Sequence, residues 1–404
     1  MLKRRNESLG RQRWLSALLL SSLHCSANPS PSEAGPDAAF PSQRAAFAPS
    51  YHPLGYVANR FSDSVSVIDL DTFRELARVP VGRDPVDIDG PVRVTLSRQR
   101  GLAYVLLSYP FSALSAHAVA NGGTRRDGFV QALSLWDLRP LGEFRVDPRA
   151  GSMALSDSED LLAVSHFDQD LALSADSVEA RRANVALVSS AWGIPAGTAT
   201  RRDVRACAAP AGVTYGVDES RLYVACTGED SLVVIDTEAA SVRARVPAGG
   251  DPSNKPYSLT ASSARTRLLL SNQVARKVVE LSAEDAPAEL SATDAFEGIP
   301  YSAAFVAEHE YVVPLQSPSG AALVDAATGA MLTQASYPDE DCLNPNEATV
   351  LDDGRLLLVC EGDHYGPGSL VELEPSSLEV RRRVALGAYP DHLAVLEASE
   401  AAAP

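Results

Sequence analysis

A repeated pattern of short strands constrains this chain more than any other feature of its sequence. Residues 55–85 (GYVANRFSDSVSVIDLDTFRELARVPVGRDP) and 222–252 (LYVACTGEDSLVVIDTEAASVRARVPAGGDP) follow the same order. Each reads as strand, polar turn, strand ending in Ile-Asp, turn, strand, and then Gly and Pro. The alternation in SVSVID at 64–69 has period two, which is typical of a β-strand. The repeat indicates an architecture built from small, similar β units.

The chain resembles the YVTN-type β-propeller repeat family in these two segments. The resemblance lies in YVAN at 56–59 and YVAC at 223–226, each followed by Val-Ile-Asp, at 67–69 and 234–236. It extends more weakly over residues 50–397. It implies an all-β propeller of four-stranded blades. Because that family has many functions, the resemblance does not imply one for this chain.

Prolines at the segment junctions predict the number of blades. Seven candidate junctions each contain one, namely Pro85, Pro148, Pro210, Pro252, Pro300, Pro345 and Pro390. Proline fits the first position of a strand, which need not donate to the ladder. We therefore predict a seven-bladed propeller over residues 50–400. The first blade shows only three strands near its start, so the C-terminal HLAVLE (392–397) is expected to complete blade 1 and remove an open edge.

Four cysteines follow the same frame. In each of two segments, a cysteine precedes a predicted innermost strand, and a second cysteine ends the strand that returns to the same rim. We predict the disulfides Cys207–Cys226 and Cys342–Cys360, which an exported chain permits. Four free thiols remain the alternative. A zinc site is disfavoured because no Cys-x-x-Cys spacing is present.

The N-terminus reads as an export signal. Five basic residues precede a ten-residue apolar run at 14–23, so residues 1–25 are predicted to be a signal peptide. Cys25 stands where a bacterial lipoprotein carries its lipid, although ordinary cleavage after Ala27 remains open. Residues 26–49 read as a flexible linker. We expect the protein in the periplasm or at the cell surface, in contact with membrane only through a lipid anchor.

The acidic balance of the chain limits its partners. Lys+Arg is 35 and Asp+Glu is 52 among 404 residues, for a net charge of -17. Nucleic acids and anionic lipid surfaces require a basic face, so neither is an expected partner. An envelope protein or a small ligand remains possible.

Two sets of polar residues are candidate ligand sites on one face of the ring, which we call the top face. It carries the junction loops and the loops between second and third strands. Histidines that could hold a transition metal are His117, His166, His364 and His392. Junction acids that could surround the channel and attract calcium are Asp84, Asp147, Asp251, Asp341 and Asp391. Separately solvated histidines and acids that cap turns are the simpler interpretations.

No catalytic residue can be assigned from a motif. The chain lacks a Gly-x-Ser-x-Gly elbow, a phosphate-binding Gly-Lys-Ser/Thr loop and a His-Glu-x-x-His pair. We therefore expect a cell-envelope binding or scaffold protein that uses its top-face loops and has no chemistry of its own. The alternative is a periplasmic enzyme or electron-transfer partner, lactonase-like or metal-dependent, with a top-face site. A calcium-stabilised adhesion module is a third interpretation.

Overall fold

The fold is a ring of seven antiparallel blades. The computed structural model describes residues 52–83, 88–108, 127–189, 199–249 and 254–397. Within them, 29 strands, numbered in chain order, form seven sheets. Each sheet contains four strands in succession, and the sixth also carries a short extra strand against its second long one. The predicted all-β, seven-bladed β-propeller is confirmed.

In every blade the first strand lies at the channel and the last at the outside of the ring. Blade 1 consists of β29 (Pro390–Leu396), β1 (Leu54–Asn59), β2 (Ser64–Asp69) and β3 (Arg74–Pro80). Blade 2 consists of β4 (Pro91–Ser97), β5 (Leu102–Leu107), β6 (Gly128–Ser134) and β7 (Pro140–Val146). Blade 3 consists of β8 (Ala150–Leu155), β9 (Leu161–His166), β10 (Arg182–Ser189) and β11 (Arg201–Ala208).

The remaining blades repeat the arrangement. Blades 4 and 5 consist of β12 (Pro210–Tyr215), β13 (Arg221–Cys226), β14 (Ser231–Asp236) and β15 (Ser241–Pro247); and β16 (Pro256–Ala261), β17 (Arg267–Asn272), β18 (Lys277–Ser282) and β19 (Glu289–Ala292). Blades 6 and 7 consist of β20 (Ile299–Pro300), β21 (Ala304–Ala307), β22 (Glu310–Gln316), β23 (Gly320–Asp325) and β24 (Met331–Ser336); and β25 (Pro345–Val350), β26 (Leu356–Cys360), β27 (Pro367–Leu373) and β28 (Val380–Ala388).

Burial explains why the middle strands are apolar on both faces. All six residues of β1, β2 and β5 are buried, whereas the outermost strand β24 alternates between exposed and half-buried residues. The buried apolar side chains fall into seven clusters, each between two neighbouring blades. The core is therefore a set of blade-to-blade interfaces, and its stability requires a closed ring.

The last strand closes that ring. β29 pairs antiparallel with β1, with Leu54 opposite Leu396 and Tyr56 opposite Ala394. Leu396 packs in the cluster between blades 1 and 2, and Leu393 packs in the cluster between blades 7 and 1. The prediction that the C-terminal strand completes blade 1 is confirmed.

Both predicted disulfides form. Cys207 bonds Cys226 with Cα atoms 5.9 Å apart, and Cys342 bonds Cys360 with Cα atoms 5.2 Å apart. The first joins the outermost strand of blade 3 to the second strand of blade 4. Disulfides persist in oxidising compartments, which supports the prediction that the protein is exported.

Four of the seven predicted junction prolines do not begin an innermost strand. Pro148 precedes β8, which begins at Ala150, and Pro300 is the second residue of β20. Pro85 and Pro252 lie outside the described residues, and the innermost strands of blades 2 and 5 begin at Pro91 and Pro256. The physical reason holds at the new positions, because the strand-initial residue need not donate to the ladder.

The described residues form three short helices, all near the top face. They are α1 (Gln169–Ser174) and α2 (Val178–Arg181), between β9 and β10, and α3 (Asp339–Cys342), before β25. The side chains of Asp168 and Ser177 cap α1 and α2 by accepting a backbone N–H. In the part of the chain that the structure describes, no helix is long and apolar enough to cross a membrane.

Candidate active site

The top of the central channel holds a cavity of about 370 Å³, lined by residues from all seven blades. That volume is within the usual range for small-molecule sites. Its polar lining includes three arginines, Arg60, Arg93 and Arg149, and three acids, Asp170, Glu347 and Asp391. Charges of both signs therefore face one enclosed space.

A recurring bulge aims these side chains at the channel. The ladder between the first two strands slips by one residue between Pro91 and Arg93 and between Pro345 and Glu347, and a matching slip occurs at Asp391. The residue after the strand-initial proline is thus left unpaired in the ladder. Arg93, Glu347 and His392 are each the third residue of an innermost strand. Bulges re-aim side chains in this way beside functional sites.

Glu347 lies at the centre of the polar cluster. Arg93 Nη1 lies 3.4 Å from its Oε1, and His392 Nε2 lies 3.3 Å from the same oxygen. The backbone N–H of Leu393 donates to its Oε2 at 3.2 Å. Burial raises the pKa of the Glu347 carboxyl to about 7, against the opposing effect of Arg93. This carboxyl therefore exchanges protons near neutral pH.

His392 is a neutral partner of that carboxyl. The backbone N–H of Val94 donates to its Nδ1 at 3.4 Å, which leaves the ring proton on Nε2, facing Glu347. Burial lowers the pKa of His392 well below its ordinary value. The imidazole therefore orients Glu347 as a hydrogen-bond donor and adds no positive charge.

Arg60 and Asp391 form a second charged pair on the channel wall. Arg60 Nη1 lies 3.5 Å from Asp391 Oδ2, and Asn346 Nδ2 donates to Asp391 Oδ1 at 3.0 Å. The Arg60 guanidinium also lies over the Tyr389 ring, 5.3 Å from its centroid. The arginine is therefore held from two sides.

The loop after β26 supports this wall from behind. The His364 ring stacks on Tyr389 with centroids 3.9 Å apart, and its Nε2 lies 2.7 Å from Glu361 Oε2. Burial raises the pKa of Glu361, while His364 opposes the shift. His364 is thus part of the packing behind Arg60.

The predicted histidine cluster is not brought together. His392 is in the channel and His364 is behind Tyr389. His166 Nε2 accepts from the backbone N–H of Asp147, and its Nδ1 lies 2.7 Å from the Asn184 carbonyl oxygen. His117 lies outside the described residues. Among the residues that are described, no three His, Cys, Asp or Glu side chains are grouped to hold a metal ion.

Among the residues that the structure describes, the predicted junction acids do not lie together around the channel. Asp391 lines the channel. Asp147 instead contacts Arg201 Nη2 at 2.6 Å and Asn184 Nδ2 at 2.9 Å, and Asp341 lies in α3. Asp84 and Asp251 lie outside the described residues, as does Cys25. Asp147 and Asp391 are thus each paired with an arginine and an asparagine.

Sequence reasoning missed Arg93 and Glu347. Their ion pair joins residues 254 positions apart in the chain, so no short motif could connect them. A usable signal was present, because both are the second residue after a strand-initial proline, as is His392. Superposing the junctions would have placed all three on one ring.

Solved structures with the same fold were found, whereas neither protein-family models nor curated proteins match the sequence. A protein from Lactobacillus plantarum has a TM-score of 0.63 at 11% identity, covering 86% of this chain and 99% of that chain. A periplasmic gluconolactonase from Pseudomonas aeruginosa has a TM-score of 0.61 at 14% identity, with coverages of 86% and 99%. A candidate 6-phosphogluconolactonase from Bacteroides fragilis has a TM-score of 0.58 at 11% identity, with coverages of 85% and 98%.

These findings correct the expected function. We predicted a binding scaffold with no chemistry of its own, and that prediction is wrong. The similar structures include propellers named as lactonases, and the channel holds the Glu347 carboxyl, which pairs with Arg93 and whose pKa burial raises to about 7. The findings favour the alternative of an enzyme with a top-face site. At identities of 11–14%, the similarity itself shows that the chain has the fold of these seven-bladed propellers.

Proposed function

We propose that this protein hydrolyses a lactone in its central channel. The observation that carries the proposal is Glu347, a half-buried carboxyl that faces the cavity with Arg93 and His392 against one oxygen. A general base works best when its pKa is near the working pH. The names of the propellers that share this fold support the choice of a cyclic ester as substrate.

The residues allow a balanced reaction. The Glu347 carboxylate removes a proton from water while the water oxygen bonds to the lactone carbonyl carbon. The negative charge that develops on the carbonyl oxygen is stabilised by the guanidinium groups of Arg60 and Arg93. When that intermediate collapses, the ring C–O bond breaks and the proton held by Glu347 moves to the departing alkoxide. The product is an open-chain hydroxy acid.

A panel of lactones tests this proposal. We expect purified protein to accelerate hydrolysis of at least one five- or six-membered ring lactone above the buffer rate, measured by acid release in a pH-stat. Glu347→Gln should lower kcat by about 10²- to 10⁴-fold, because the amide cannot take the proton. The exposed acid Glu340 provides the control, and Glu340→Gln should keep the parental rate. Hydrolysis that never exceeds the buffer rate across the panel would contradict the proposal.

We also propose that the enzyme works at the cell envelope as a YVTN-type lipoprotein. The support is the pair of repeats at 55–85 and 222–252 and the position of Cys25 after an apolar run. The two disulfides support export itself. A small lactone is then the partner of the channel, and the lipid is the contact with membrane.

A further inference from the structure

An arc of three aromatic rings forms one side of the channel. Tyr257 is the second residue of β16 and lies between Phe167 and Tyr301. Its ring centroid is 5.7 Å from each neighbour, with interplanar angles of 77° and 73°. Edge-to-face contacts of this kind are favourable and fix the orientation of a ring. Tyr257 is therefore held on both sides by side chains from blades 3 and 6.

Gly151 makes room for this arc. A Cβ atom there would lie 2.6 Å from Cβ of Phe167, which is too short for real carbon atoms in a folded chain. Gly212 instead lets the innermost strands of blades 4 and 5 approach closely, since a Cβ atom there would lie 2.7 Å from the Leu259 backbone nitrogen and 2.8 Å from the Tyr257 carbonyl oxygen. The backbone that carries Tyr257 is therefore held close to blade 4.

The Tyr257 hydroxyl differs from those of four core tyrosines. Their hydroxyls donate to backbone carbonyl oxygens, and they are Tyr56, Tyr215, Tyr223 and Tyr337. Tyr257 lines the cavity, and no residue in the described ranges accepts a hydrogen bond from its hydroxyl. Tyr257 is half-buried, and its hydroxyl is therefore available to donate to a ligand in the cavity.

Burial keeps that donor protonated. It raises the pKa of the Tyr257 phenol above its ordinary value, and the charges of Asp391, Arg60, Arg93 and Glu361 also act on the phenol. For Tyr301, burial again raises the phenol pKa, and the charges that act on it are those of Glu361 and Asp391. Tyr257 lines the same cavity as Arg93 and Glu347.

We propose that Tyr257 is a catalytic hydrogen-bond donor to the carbonyl oxygen of the lactone. This inference rests on the proposed hydrolysis. As water adds to the carbonyl carbon, the carbonyl oxygen becomes an oxyanion and its hydrogen bond to the Tyr257 hydroxyl strengthens. No proton leaves Tyr257. The proton taken from water travels through Glu347 to the departing alkoxide, so the phenol ends the cycle unchanged. Phe167 and Tyr301 are positioning residues for its ring.

The test is Tyr257→Phe, which keeps the ring and removes only the hydroxyl. We expect kcat on the best lactone of the panel to fall about 10²- to 10³-fold, the usual effect of losing one oxyanion donor, with KM changed less than about threefold because the ground state is bound mainly by the ring. The melting temperature should stay at the parental value, since the substitution removes no hydrogen bond within the described part of the chain.

A matched control comes from Tyr311. Its hydroxyl is buried and, like that of Tyr257, has no partner among the described residues. It lies in the core between blades 5 and 6, so Tyr311→Phe should keep the parental kcat. Full activity of Tyr257→Phe beside an active parent would overturn this inference and leave the proposed hydrolysis intact. A parent that hydrolyses no lactone would overturn both. A loss of kcat in Tyr311→Phe as large as in Tyr257→Phe would also overturn the inference.

Discussion

At the scale of single residues, the pKa of Glu347 is set by a balance between burial and its charged and hydrogen-bonding partners. Removal from water and the charge of Asp391 disfavour the carboxylate, whereas Arg93 and the Leu393 N–H favour it. Burial prevails, and the pKa rises to about 7. The raised pKa makes the free energy of unfolding depend on pH. Glu347 favours the folded state when the pH is below the pKa of this carboxyl in the unfolded chain, and that contribution is lost as the pH rises through about 7.

The same residues show where sequence reasoning stops. His392 and Asp391 were predicted as site residues and do line the channel. Their predicted companions are elsewhere, because His166 and Asp147 bond to each other and to Asn184 at the rim of blade 3. Arg93 and Glu347 carry no local motif. Their meeting depends on the bulge in each innermost strand and on the closure of the ring, neither of which a single segment specifies.

At the scale of elements, β29 links the two ends of the chain and also supplies His392. Its Leu393 and Leu396 are 4% and 0% exposed and pack in different blade interfaces. This strand was predictable because blade 1 lacked an innermost strand and the C-terminal segment had the right alternation. The disulfides were predictable for the same reason, since the repeat placed each pair of cysteines at one rim.

Deleting residues 393–404 should destabilise the whole propeller. Each buried leucine that is lost costs about 2–5 kcal/mol, and the exposed edge of β1 would add to this. We expect a much lower urea midpoint than that of the parent. Removing only residues 399–404 leaves β29 intact and should keep the parental midpoint. If both truncations unfold like the parent, closure by β29 does not stabilise the ring.

At the scale of the whole molecule, seven similar blade-to-blade interfaces form the ring. The charged side chains that line its channel are not part of the apolar packing in those interfaces. Each blade contributes only a few side chains to the channel, so ring geometry and chemistry are separable. The fold could therefore be predicted from the repeats, whereas the function could not. The N-terminal segment adds a proposed location to this scaffold, through the predicted signal sequence and Cys25.

Cys25→Ser should release the protein from membranes. A lipid chain on Cys25 provides the proposed membrane contact, so its loss leaves a net-acidic protein with little attraction to anionic lipids. The measurement is the distribution between membrane and soluble envelope fractions after expression of the full chain. Unchanged membrane retention of the variant would count against lipidation, while the channel chemistry would be unaffected by either result.

The pH dependence of kcat/KM on the best lactone tests the central claim most directly, because it reports the ionisation of the free enzyme. With Glu347 as the base, activity requires its carboxylate. We predict that kcat/KM, corrected for the buffer rate, rises about tenfold per pH unit below a midpoint near the Glu347 pKa of about 7 and is level above it. A profile that is flat from about pH 5.5 to 8, or that falls as pH rises, would contradict the account.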